Sequence, residues 1–138
     1  TRYFVDPSIA VAALGITPDK LMHDMNTFGL LFETMAVRDL RVYADAIDAK
    51  VYHYRDKDEL ECDAIIERRD GSYGLVEIKL GGDYAISEAQ ITLNALAKKI
   101  NTDKVGKPSF RMVLTAIGKY ALRLEDGTLV VPIGCLKH

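Results

Sequence analysis

The hydrophobic pattern of this chain changes period along its length, and that constrains the fold more than any other feature. From Asn26 or Thr27 to Ala46 the apolar residues recur at helical spacing. Val51-Tyr52-His53-Tyr54, Leu60 to Glu67 and Tyr73 to Leu80 follow a strand period, and Ser87 to Ile100 returns to the helical one. Asp56-Lys57-Asp58 reads as a turn, and Asp70-Gly71 is a strong hairpin signal. The strands therefore form an antiparallel meander, ended by Gly81-Gly82. A polar loop, Asn101 to Ser109, leads to the strand Phe110 to Ala116, which is free of charge from Met112 onward, as a buried strand is. Strand, helix, strand predicts a right-handed crossover to a parallel neighbour. Tyr120 to Leu124, Glu125-Asp126-Gly127 and Leu129 to Ile133 read as a terminal hairpin. The fold class is α/β.

The helices carry their own signals. Asp6-Pro7 with Gly15, and then Thr17-Pro18, predict two short N-terminal helices. Thr27 is the expected N-cap of the long helix. Phe28, Phe32, Met35, Asp39 and Val42 share one stripe of it; Leu30, Glu33, Val37 and Leu40 share another. A helix apolar on two sides is expected to pack on two sides. Ile86, Ala89, Leu93, Ala97 and Ile100 form the buried stripe of the second helix, and Ser87 with Gln90 fits a capping box.

At 138 residues the chain is one domain, 1–138, large enough to bury a core. With 49% hydrophobic and 28% charged residues it reads as an ordinary soluble globular protein. A net charge of -2 excludes a strongly basic, charge-driven nucleic-acid binder but leaves room for a local basic patch. Cys62 and Cys135 lie far apart without metal or disulfide spacing. No apolar run reaches the roughly 18 residues of a membrane span, and nothing resembles a signal peptide. A cytoplasmic protein without membrane contact is expected. The start at Thr1 suggests a piece of a longer protein.

The chemistry concentrates in the third strand, Val76-Glu77-Ile78-Lys79-Leu80. Glu77 and Lys79 project from one face, and the hairpin can set Asp63 of the preceding strand beside Glu77. Taken alone, a Glu-x-Lys pair on a strand is more commonly a solvated, ion-paired face. Here both strands are otherwise apolar, and Glu33 adds a third carboxylate on an apolar helix stripe, which is costly without a partner. Carboxylates held together repel, and a divalent cation such as Mg²⁺ or Mn²⁺ relieves that repulsion. Gln90 is either a further polar group at this site or half of the capping box. Cys62 points away from the site and fills the core. His23, His53 and His138 have no metal spacing among them.

The order of helix with Glu33, strand, strand with Asp63, strand with Glu77-x-Lys79, helix with Gln90 and strand resembles the PD-(D/E)xK nuclease superfamily, the restriction-endonuclease-like fold. The match runs from about Asn26 to Ala116. Three stretches look more narrowly like one bacterial and archaeal family. They are Tyr3-Phe4-Val5-Asp6-Pro7-Ser8, Phe28-Gly29-Leu30-Leu31-Phe32-Glu33, and Tyr54-Arg55-Asp56 with Glu61-Cys62-Asp63. That family is the domain of unknown function at the C-terminus of AAA-type P-loop ATPases. The proline that precedes the signature aspartate is replaced by Cys62. No Gly-x-x-x-x-Gly-Lys-Ser/Thr occurs, so no ATP site is expected within this chain.

The resemblance implies a restriction-endonuclease-like core flanked by short N-terminal helices and the C-terminal hairpin. It implies Asp63 and Glu77 as metal ligands, with Glu33 ligating directly or through water and the Ile78 carbonyl as a further ligand. Lys79 would position the attacking water or stabilise charge on the phosphate. The function implied is Mg²⁺- or Mn²⁺-dependent hydrolysis of DNA phosphodiesters. An inactive docking or regulatory domain of the ATPase is the alternative. A third reading is an oligomerisation module, pairing through Tyr120, Leu122, Leu124 and the strand Leu129 to Pro132.

Overall fold

A computed structural model describes residues 25–100 and 105–136 of the chain. The helices expected after Asp6-Pro7 and Thr17-Pro18, together with His23 and His138, lie outside these residues. The described elements are helix α1 (Met25–Ala46), strands β1 (Ala49–Arg55), β2 (Glu61–Arg68) and β3 (Tyr73–Lys79), helix α2 (Asp83–Ile100), and strands β4 (Phe110–Thr115), β5 (Leu122–Arg123) and β6 (Leu129–Pro132). A 3₁₀ turn, Ile133–Cys135, follows.

The strands make one mixed six-stranded sheet in the order β1-β2-β3-β4-β6-β5. β1, β2 and β3 form the antiparallel meander. β4 is parallel to β3, as the strand–helix–strand step predicts. The terminal hairpin forms between β5 and β6. Its second strand also joins the sheet parallel to β4, which local pattern did not reveal. β3 is buried from Tyr73 to Ile78, because it is central and a helix covers each face.

Below one face, α1 packs Phe32, Ala36, Leu40 and Ala44 against Ala64, Ile66, Val76, Ile78 and Leu114. On the other, α2 packs Ala89, Leu93 and Leu96 against Leu75, Val113 and Val130. Alanines in the α1 row let the helix lie close to the sheet. Each leucine buried here contributes about 1.5–3 kcal/mol.

Three expectations need correction. The buried apolar residues of α1 form the single row Phe28, Phe32, Ala36, Leu40 and Ala44, with buried Asp39 beside it, while Leu30 is 66% exposed and Val42 is exposed as well. One i, i+4 row is all that a flat sheet can meet, so among the described residues α1 is not packed on two opposite sides. α1 already includes Met25, so Thr27 lies within the helix and not at its N-cap. α2 begins at Asp83, four residues before Ser87, so Ser87 and Gln90 sit within the helix and form no capping box. Gly81 and Gly82, at φ +141° and +94°, turn the chain sharply enough for α2 to start directly after β3.

Two hairpins use one device. Asp70 accepts the Ser72 N–H at 2.9 Å, and Asp126 accepts the Thr128 N–H at 2.9 Å. The glycine between each pair, Gly71 or Gly127, has positive φ. The β1–β2 turn is held differently. Oδ1 of Asp56 accepts the N–H groups of Asp58 and Leu60, at 2.9 and 3.0 Å. Its Oδ2 meets the Tyr54 hydroxyl at 3.3 Å and Lys99 Nζ, from the end of α2, at 2.7 Å.

Candidate carboxylate site at the splayed end of the sheet

The regular pairing of β2 with β3 runs from Glu67 and Tyr73 to Ala64 and Val76 and stops there. The next two residues are Asp63 and Glu77. At this point side chains take over from the backbone ladder. Oδ2 of Asp63 accepts the Ile78 N–H at 2.8 Å, and Oε1 of Glu77 accepts the Asp63 N–H at 3.4 Å. Each carboxylate thus satisfies a donor that the departing strand leaves behind. The N–H and C=O of a strand residue leave the chain on the same edge, so the Ile78 carbonyl faces this gap too.

Glu33 reaches the site from α1 and hydrogen-bonds the Asp63 side chain. Burial, then the charge of Asp63, then that hydrogen bond raise the Glu33 carboxyl above its ordinary value. Glu77 is only 6% exposed. Burial first, and the charge of Asp63 second, push its carboxyl up to about 8, while the Asp63 N–H and Lys79 act the other way. Near neutral pH Glu77 therefore keeps its proton. Lys79 is half-buried and forms no direct ion pair among the described residues, although Glu77 feels its charge.

The structure thus brings Glu33, Asp63 and Glu77 together from three elements, with Lys79 on the same strand as Glu77. Gln90 stands apart: its side chain hydrogen-bonds Asp126 in the β5–β6 turn. Cys62 is fully buried, and burial followed by the Glu77 charge pushes its thiol up to about 12. It fills the core as expected, but in the cluster under α2, whereas Ala64 belongs to the cluster over α1. A register shift opposite Tyr52 and Tyr54 accompanies this break in alternation, which sequence spacing could not show.

His53, which has no metal spacing in the sequence, sets its Nε2 3.0 Å from the Glu61 carboxylate, and both residues neighbour Glu33. The signal for this neighbour was a cross-strand pairing, which one strand read alone does not carry.

The donor set is all oxygen and suits a hard divalent cation. As arranged it is not a finished cage. Among the described residues no three His, Cys, Asp or Glu side chains are poised to hold a metal, and backbone N–H groups occupy the Asp63 and Glu77 carboxylates instead. Loading would exchange those partners for the cation.

A mixed sheet covered by a helix on each face, with a carboxylate cluster where two central strands separate, defines an α/β domain with a candidate polar centre at that end of the sheet. The chain belongs to a family described as Domain of unknown function (DUF4143), which matches residues 28–136. No match was found among the curated proteins or among the solved structures. No described helix is long and apolar enough to cross a membrane.

Proposed function

We propose that this domain is a metal-dependent phosphodiesterase of the PD-(D/E)xK, restriction-endonuclease-like kind, acting on DNA and carried by an AAA-type ATPase. The observation that supports it is the convergence of Glu33, Asp63 and Glu77 at the splayed end of β2 and β3. Glu33, Asp63, Glu77 and the Ile78 carbonyl would hold Mg²⁺ or Mn²⁺. The cation supplies Lewis-acid stabilisation of charge on the phosphate. Lys79 orients the attacking water and offsets negative charge as the phosphate is approached. Glu33 and Asp63 would supply an acceptor for the proton of that water.

The test is plasmid nicking with Mn²⁺ or Mg²⁺ by the wild type, Asp63→Ala and Lys79→Ala. Loss of at least about 100-fold in both variants is expected when ligand and charge-stabilising groups are removed. Equal activity in all three would mean a contaminant and would sink the reading.

A second reading has its own observation. The carboxylates are already satisfied by backbone donors and by each other, as in a domain that docks or regulates without catalysis. Calorimetry with Mn²⁺ separates the two. Stoichiometric binding that disappears in Asp63→Ala counts against a purely docking role.

A further inference from the structure

A cavity of about 380 Å³ opens at the end of the sheet opposite the carboxylates, between the C-terminal half of α2 and the starts of β4 and β6. Lys107, Arg111 and Arg123 line it, with Ser109 and Gly127, and among the described residues no acidic side chain does. These cations are distant in sequence: one precedes β4, one lies within it and one ends β5.

The three are not equivalent. The Arg111 guanidinium donates to Asn94 Oδ1 and to the Asp126 backbone oxygen. Its Nη1 lies 3.6 Å from the Asp126 carboxylate. Asp126 is itself gripped by Asn94 Nδ2 at 2.9 Å, by the Thr128 N–H at 2.9 Å and by Gln90. These donors, Asn94 first, hold its carboxyl well below the usual carboxylate range, so it stays ionised. Arg111 is therefore a fixed cation with unused donors. A Cβ on Gly127 would stand 3.3 Å from Nη2 of Arg111, so glycine keeps the guanidinium uncrowded. Lys107 and Arg123 are exposed and form no ion pair among the described residues.

We propose that this groove binds a phosphate group. A held, planar guanidinium presents paired donors to an oxyanion, and two mobile cations close over it. With Asp126 behind Arg111, the cluster carries a net charge of about +2, the complement of a phosphate dianion. The phosphate belongs either to a nucleic-acid backbone or to a free phosphate compound, since both offer the same oxygens.

The test is titration of the full chain with inorganic phosphate and pyrophosphate in metal-free buffer. Binding is read by calorimetry and by amide NMR shifts at Ser109, Arg111 and Gly127. Saturable binding is expected, weakened about tenfold by Lys107→Gln and by Arg123→Gln and largely kept in Arg123→Lys. Both positions are exposed, so an unchanged melting temperature verifies the fold, and Asp63→Ala should bind as the wild type does. Competition by a short DNA duplex assigns the phosphate to a nucleic acid; binding of pyrophosphate without competition assigns it to a free compound. The proposal is overturned if neither anion saturates by roughly 10 mM, or if Lys107→Gln and Arg123→Gln bind like the wild type.

Discussion

Glu77 gives the site its pH dependence. Its folded value, about 8, lies above the ordinary 4.5. The folded state therefore binds more protons than the unfolded state between those values. The stability Glu77 contributes is complete below 4.5 and is lost as pH rises through about 8. Urea midpoints of the wild type should fall from pH 5 to pH 8.5, and Glu77→Gln, which stays neutral, should flatten that fall. Parallel curves would show that Glu77 titrates normally. At the same scale, burial has silenced Cys62 while Cys135 is partly exposed. A thiol reagent should modify one cysteine rapidly and Cys62 only after denaturation. The sequence displayed the carboxylates plainly, since charges inside apolar strands announce themselves. It did not display the Glu77 proton, because burial from both faces depends on elements far along the chain.

Among the elements, β3 tolerates least. A Cβ on Gly74 would lie 2.1 Å from the Phe110 ring, which crosses over this strand from its parallel neighbour. Gly74→Ala must displace that ring, at a cost of about 1–3 kcal/mol, measurable as a lower denaturant midpoint. The β1–β2 turn depends on Asp56, whose carboxylate serves two backbone donors, a hydroxyl and Lys99. Asp56→Ala should destabilise the domain by taking the acceptor from the N–H groups of Asp58 and Leu60; Lys99→Ala, on the exposed side, should cost less. Thermal melts of the two variants check that order. The element types and most bounds were legible because period and turn residues are local. The true start of α2 was not, because it follows a glycine pair whose backbone geometry overrides the cap signal at Ser87.

At the scale of the whole molecule, one sheet serves two separate cores. Leu40 belongs to the cluster against α1 and Leu93 to the cluster against α2, and both are fully buried. Either leucine changed to alanine should cost about 2–5 kcal/mol. The double variant should show the sum to within about 0.5 kcal/mol, because the sheet stands between the two sites. Chemical denaturation followed by far-ultraviolet circular dichroism and by tyrosine fluorescence should give coincident transitions, since β3 belongs to both cores. The chain has no tryptophan to mask the seven tyrosines. The α/β class and the parallel crossover were legible as a sequence of elements. The seat of β6 beside β4 was not, since a pairing between distant strands leaves no local trace.

The splay between β2 and β3 leaves an unusual amide in the middle of the sheet. The Ile78 N–H is protected by a carboxylate of the adjacent strand, not by that strand's carbonyl. Its exchange with solvent deuterium is thus governed by a side chain that can turn away without the sheet opening. It should be a slow site that speeds up locally whenever Asp63 is drawn elsewhere, while Leu114 and Val113 on the next strand keep their protection. One backbone proton then reports the occupation of the carboxylate centre, read directly in the time domain of hydrogen exchange.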